Sequence, residues 1–377
     1  RHDTPWAGTC VVVVSKFRAR RLVPDMNGGR PEARELPLSR PTRSYVKSTR
    51  KERVIGFLAA SLFSVAYYLA PTWLLMTALA CVLKWWTVAT LLILPIVTSL
   101  ALPESFIRDL GKLMLKTSCF LQIPKYFSFE EFHEFRDEDF GEATHSEGKS
   151  FIFACHPHGV FPFSATCALV SCAGAEGDDG HVTAYAYKDR LTEDMPTAVA
   201  TVLRFVPLLK DIVGLFHIID ASAPVLTERL QTKGSVSLYV GGMLELFLAS
   251  PTKEVVFLKK RKGFIKLALR TGADVVPVYL FGNTTCLSAL TSGPLAFLSR
   301  KLGVSLTLFW GRWGLPLPRP TKLTYARGLP LGLPHLPQPT DADVDHWHAV
   351  YCDKLQALFD NYKRFNPDYA DKILVIE

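Results

Sequence analysis

Residues 151–163 read FIFACHPHGVFPF. The run from Phe151 to Cys155 is apolar without interruption, as expected of a β-strand covered on both faces. It breaks at His156-Pro157-His158-Gly159 and resumes as a helical pattern over 160–172. Strand, short loop and helix in that order form the repeating unit of an α/β domain, and such sheets bind ligands beyond the carboxyl ends of their strands. Two imidazoles in a four-residue loop, held by a rigid proline and followed by a glycine that lets the backbone approach a ligand, make a candidate acid–base site.

The same reading extends outward. Strands are predicted at 150–155, 182–187, 235–240, 274–281, 304–310 and 322–326. Helices are predicted at 160–172, 194–204, 222–233, 263–271 and 341–364, the last opening after Asp341. Several strands are continuous apolar runs, so the expected fold is α/β, a mixed central sheet flanked by helices. No internal repeat interrupts it.

Upstream, residues 54–102 hold 49 residues with a single charge, Lys84. A spanning helix needs about 20 apolar residues, so this block fits two spans or one helical hairpin embedded from one side. Soluble helices show a polar face, and this block shows none. The turn falls either at Pro71, near Tyr67, Tyr68 and Trp73, or at Trp85 and Trp86 beside Lys84. Residues 104–121 suit an amphipathic helix in the headgroup layer, with Arg108, Lys112 and Lys116 on one face. That pattern also fits an ordinary solvated helix.

The expected organisation is a disordered basic cytosolic head (1–53), a transmembrane helical hairpin (54–102) and a cytosol-facing catalytic domain on the membrane surface (103–377). The chain of 377 residues has a net charge of +8. All of that excess lies in residues 1–53, and residues 54–377 are neutral. No aromatic–basic interleaving accompanies it, so nucleic-acid binding is not expected. Cations flank the apolar block on both sides, from Arg43 to Arg53 and from Arg108 to Lys125, which predicts both flanks in the cytosol and an even number of crossings. The first methionine is Met26, and residues 1–25 are expected to lie upstream of the protein's own start. The eight cysteines show no metal or disulfide spacing and read as reduced cytosolic thiols.

Two further clusters carry chemistry. Val240-Gly241-Gly242-Met243-Leu244-Glu245 ends a buried strand in a glycine turn and then an acid. A carboxylate there can orient a histidine, although alone it is equally a first-turn acid favoured by the helix dipole. Lys259-Lys260-Arg261-Lys262 precedes a helix and a strand and could neutralise phosphates. On charge alone it is a solvated turn.

His-Pro-His-Gly after a strand, Gly-Gly-x-x-Glu some eighty residues on, and the spaced set Arg261, Gly263, Phe264, Lys266, Ala268, Gly272, Val276, Pro277, Phe281 and Gly282 together resemble the diacylglycerol acyltransferase type 2 family, which includes monoacylglycerol and wax-ester acyltransferases. Tyr126-Phe127 and Phe309-Trp310-Gly311-Arg312 add to the match, which covers roughly residues 120–365. The resemblance implies a glycerolipid acyltransferase-like fold and an endoplasmic-reticulum membrane enzyme, reaching the lipid-droplet surface as well. It would move a fatty acyl group from acyl-CoA to diacylglycerol to give triacylglycerol.

It also implies catalytic roles for His156, His158 and Glu245, with His158 preferred as general base and Glu245 holding its imidazole. The substrate-binding set is Pro157, Gly159, Gly241, Gly242, Arg261, Lys262, Gly263, Phe264, Lys266 and Asn283. No metal or cofactor is expected beyond acyl-CoA as co-substrate, membrane lipid is an expected partner, and a homo-oligomer is compatible. The chain differs from the family in Ser128, where proline is frequent, and in Asn283, where Glu or Gln is common. Monoacylglycerol or a long-chain alcohol is the alternative acceptor, and a non-catalytic membrane-anchored scaffold is the alternative class.

Overall fold

The computed structural model describes residues 37–173, 195–232, 234–242, 245, 252–293 and 308–377. The strands are β1 (Arg43–Ser44), β2 (Glu130–His133), β3 (Phe151–His156), β4 (Thr197–Val199), β5 (Ile218–Asp220), β6 (Val236–Tyr239), β7 (Lys253–Val256), β8 (Asp274–Phe281), β9 (Ser288–Ala289), β10 (Phe309–Trp310), β11 (Thr324–Arg327) and β12 (Ile373–Ile376). The longer helices are α1 (Arg50–Val82), α2 (Trp86–Ala101), α3 (Glu104–Leu115), α4 (Asp137–His145), α5 (Phe163–Ala173), α6 (Leu209–Gly214), α7 (Ala223–Thr232), α8 (Gly263–Thr271) and α9 (Asp341–Tyr362).

Eight strands form one mixed sheet in the order β1-β2-β11-β8-β3-β6-β4-β5. β8, β3, β6, β4 and β5 run parallel, and β11 turns antiparallel against β8. Strands β3 and β8 lie at its centre, which is why both read as unbroken apolar runs. Side chains alternate across the sheet. Phe151, Phe153 and Cys155 enter a core with Phe140, Phe161 and Phe163 on one face. Ile152 and Ala154 enter a second core with Ile265, Tyr351 and Phe359 of α8 and α9 on the other. Because β3 and β6 are adjacent and parallel, with Cys155 opposite Tyr239, the loops that follow them leave the sheet side by side.

Helix α1 runs 33 residues and is long and apolar enough to cross a membrane. The turn to α2 falls at Leu83–Trp85, with Lys84 at φ +59°. Pro71 lies inside α1 and is not the turn. The Trp73 indole donates to the Leu92 carbonyl (2.9 Å), so α1 and α2 pack as a hairpin. Helix α3 follows at 95° to α2. It buries Ile107, Gly111 and Leu115 and leaves Phe106, Leu110 and Leu113 exposed.

Several expectations are corrected. Residues 37–53 are not a disordered head. β1 adds to the edge of the sheet against β2, the Leu38 amide donates to the Tyr362 hydroxyl, and Arg43 reaches the buried carboxylates of Glu131 (2.8 Å) and Asp137. Arg327 holds Asp137 from the other side at 2.5 Å. A basic residue can therefore belong to a buried ion network as readily as to a solvated tail. Of the helix expected at 194–204, the described residues 195–204 form β4 and one 3₁₀ turn (Thr201–Arg204) instead, because Ala198 is captured between β5 and β6. The helix expected over 104–121 stops at Leu115. Of the strand expected at 304–310, Phe309–Trp310 is observed; residues 304–307, the strand expected at 182–187 and residues 1–36 lie outside the described residues. Helix α9 is capped by Thr340, whose hydroxyl accepts from the Asp343 amide while Asp343 accepts from Thr340.

Candidate active site

The chain leaves β3 at His156 and passes through a cis peptide to Pro157. His156 is completely buried, and its Nδ1 lies 2.9 Å from Glu245 Oε1. Glu245, also buried, uses its other oxygen to accept the backbone N–H of His158 (2.9 Å). One carboxylate thus fastens the first histidine by its ring and the second by its main chain. The expected contact between Glu245 and the His158 imidazole is not what forms. The strand direction explains this: the His156 side chain follows the alternation of Ile152 and Ala154 beneath the loop, while His158 lies two residues beyond the pleat.

The His158 ring is half-buried and packs edge-on against Tyr239 at 4.7 Å. Its Nδ1 lies 2.7 Å from the Gly159 carbonyl oxygen. A carbonyl only accepts, so Nδ1 carries the proton and Nε2 keeps the lone pair of the neutral ring. Burial pushes the His158 imidazole below its ordinary range, and the hydrogen bond to the Gly159 carbonyl and then the charge of Glu245 partly oppose this. A neutral imidazole whose Nε2 lone pair has no hydrogen-bond partner among the described residues is a base.

Glycine is required at Gly241 and Gly159 by close approach. A Cβ on Gly241 would sit 1.9 Å from Glu245 Oε1, so only glycine lets the carboxylate fold back under the turn. Gly159 has φ +65°, and a Cβ there would meet the Asn283 carbonyl oxygen at 2.7 Å. Gly242 also adopts the left-handed region, at φ +60°.

Asn283 is wholly buried and faces the loop. Its Oδ1 accepts from the Ser164 amide (2.9 Å) and hydroxyl (2.8 Å), and its Nδ2 donates to the Pro157 carbonyl (3.3 Å). It ties the end of β8 to both ends of the histidine loop. Phe264 is buried as well and packs on Tyr351 at 4.9 Å, which in turn lies 6.2 Å from His156. Of the basic turn, Lys262 pairs with Asp345 (2.6 Å), Lys266 lies 3.8 Å from Asp341, and the Arg261 guanidinium stacks over Phe257. Lys262, Gly263 and Lys266 line an open cleft of about 380 Å³ with Asp341, Val344 and Asp345.

Sequence inspection passes over Ser164, Tyr239 and Tyr279. Ser164 opens the helix after the loop, and Tyr239 is the last residue of the strand before Gly241, so position in the pattern could have marked both. Tyr279 pairs in register with His156. Its hydroxyl and His156 Nε2 are both buried and lack a hydrogen-bond partner among the described residues.

Comparison with known proteins agrees with the motif pattern. A family model described as diacylglycerol acyltransferase matches residues 139–376, spanning the histidine loop, Glu245 and the basic turn. Diacylglycerol O-acyltransferase 2 of Dictyostelium discoideum is 33% identical over 57% of this chain and 66% of its own length. Human 2-acylglycerol O-acyltransferase 3 is 31% identical over 57% of this chain and 65% of its own. Mouse acyl-CoA wax alcohol acyltransferase 2 is 29% identical over 61% and 71%. The chain thus spans just under two thirds of the length of the first two relatives. With the family model covering more than half of its residues, the chain belongs to the diacylglycerol acyltransferase family.

Proposed function

We propose that this protein is an acyl-CoA-dependent O-acyltransferase that transfers a fatty acyl group to the free hydroxyl of diacylglycerol, giving triacylglycerol and CoA. The observation that carries the reading is the His158 loop: Nδ1 is committed to the Gly159 carbonyl, and Nε2 is left as the basic atom. A neutral alcohol is a poor nucleophile, so His158 Nε2 takes the hydroxyl proton as the oxygen attacks the thioester carbonyl. The resulting oxyanion meets backbone N–H groups near Gly159 or Gly241–Gly242. Collapse breaks the C–S bond, and the departing thiolate recovers the proton from His158. Glu245 supports the cationic ring through its charge and keeps the loop in place through His156 and the His158 amide. Lys259, Lys260, Arg261 and Lys262 are the proposed contacts for the CoA phosphates.

The proposed setting is the endoplasmic-reticulum membrane. β1, before the hairpin, and β2, after it, hydrogen-bond in one sheet, and Lys125 pairs with Glu52 at 2.6 Å. Both flanks of the hairpin therefore lie on one side of any bilayer it enters, which supports an even number of crossings or a re-entrant hairpin.

The test is expression in a membrane that lacks triacylglycerol synthesis, with labelled acyl-CoA and each acceptor supplied in turn. Labelled triacylglycerol is the expected product. Diacylglycerol or wax ester as the main product would reassign the acceptor, and no acyl product from any acceptor would favour a scaffold.

A further inference from the structure

The segment after residue 307 runs beside α1 and stays largely uncovered. The Tyr68 hydroxyl donates to the Phe309 carbonyl (2.6 Å) and accepts from the Phe309 amide (2.7 Å), which pins β10 to the middle of α1. Eleven residues earlier on the helix, a distance of roughly 16 Å, Phe57 meets Trp313 edge-on at 6.2 Å. The Arg312 guanidinium lies over both rings, 4.3 Å from Trp313 and 5.4 Å from Phe57. The segment thus follows α1 from Tyr68 back toward the basic residues Arg50, Lys51 and Arg53. Over these same turns α1 leaves Val54, Leu58 and Leu62, four residues apart, as an exposed apolar stripe that continues at Leu69, Leu75 and Met76 on the hairpin.

Trp313 is 69% exposed and Leu315 51%. Trp313 also holds φ +58°, a region that bulky residues avoid. A large indole kept uncovered on a strained turn suits the boundary between hydrocarbon and water, where tryptophan collects because its ring is apolar and its N–H is not. Arg312 beside it can keep its head among phosphates while its stem lies on the rings. We infer that residues 308–315 form a second membrane-docking element, which seats Trp310, Trp313 and Leu315 in the headgroup layer and fixes the catalytic domain against the bilayer. Its occupant is lipid, because the segment lies along α1, the helix that carries the exposed apolar stripe, and Arg312 sits beside the exposed indole. The inference rests on the membrane reading of that hairpin.

The full chain in phosphatidylcholine–phosphatidylserine vesicles tests it by tryptophan quenching with lipids brominated either high on the acyl chain or near its end. A Trp310→Phe/Trp313→Phe double variant should lose a clear part of the quenching by the shallow label and keep the quenching of the hairpin tryptophans by the deep one. Equal shallow quenching in variant and wild type overturns the docking element and leaves the hairpin standing. No quenching by either lipid overturns both. In the same vesicles, Trp313→Ser/Leu315→Ser should raise the apparent KM for the vesicle-borne acceptor several-fold with the KM for acyl-CoA unchanged. An unchanged acceptor KM would contradict the role.

Discussion

Gly241→Ala tests the arrangement of the site most directly. A Cβ at residue 241 would stand 1.9 Å from Glu245 Oε1 and 2.2 Å from its Cδ, far inside contact distance, so the carboxylate must leave its position. Leaving breaks two hydrogen bonds, to His156 Nδ1 and to the His158 amide, both 2.9 Å. Hydrogen bonds to a charged group contribute about 1.5–3 kcal/mol each, so roughly 3–6 kcal/mol of loop positioning is at stake. Each ~1.4 kcal/mol that reaches the transition state is about tenfold in rate. If half of the loss does so, kcat falls by about 10–100-fold. Gly242→Ala is the control. Its added Cβ meets nothing within 4 Å, and only its φ of +60° opposes the change, which costs on the order of 1–2 kcal/mol of backbone strain. The assay is acyl transfer from labelled acyl-CoA in purified membranes, with thermal stability measured on both variants. Gly241→Ala should be much the less active at comparable stability. Gly241→Ala with activity within about threefold of wild type, or Gly242→Ala the more impaired, would refute the role of Glu245 in fastening the two histidines.

Further outcomes follow from the same geometry. His158→Ala should lower kcat by about 10²–10⁴-fold, and full activity in that variant would remove His158 as the base. Because burial holds His158 below its ordinary range near 6.5, the base stays neutral down through that pH, and the acid limb of kcat should lie below it. The stability linkage has the same sign: between the lowered native pKa and the ordinary one the unfolded chain binds more protons, so stability falls as pH drops through that window. A limb at or above the ordinary imidazole value would contradict this. Asn283→Ala should reduce kcat with little change in the KM for acyl-CoA, whereas equal changes in KM for both substrates would place Asn283 at the binding surface. Arg43→Ala leaves the buried Glu131 without its cation and should destabilise the fold by about 3–5 kcal/mol, read as a lowered midpoint in denaturant; an unaltered midpoint would mean that the N-terminal strand is dispensable. Arg261→Ala/Lys262→Ala should raise the KM for acyl-CoA, and unaltered acyl-CoA kinetics would reject that contact.

Much of this molecule was legible in local pattern. Uninterrupted apolar runs marked β3 and β8, the 49 residues after Arg53 with one charge marked the hairpin, and the loop residues His156–Gly159 and the Gly241–Glu245 turn announced themselves as chemistry at strand ends. These features depend on residues within a turn or a strand of one another. The short strands β4 and β5 were not legible, because three residues carry too little periodicity and take their conformation from the neighbours they pair with.

What the sequence by itself determined is the set of groups at the site and the class of fold: an α/β sheet, a pair of histidines after a central strand, an acid after its neighbour, and an apolar hairpin upstream. Only the tertiary structure decided how those groups are assigned. Glu245 takes the ring of His156 and the main chain of His158, from 89 and 87 residues away. Asn283 ties the end of β8 to the histidine loop, and Arg43, read as part of a loose basic head, closes a charge network in the sheet. The reason is that hydrogen bonds between distant residues depend on where the pleat aims each side chain and on which strands become neighbours. Both are settled by the packing of the whole sheet, not by local composition.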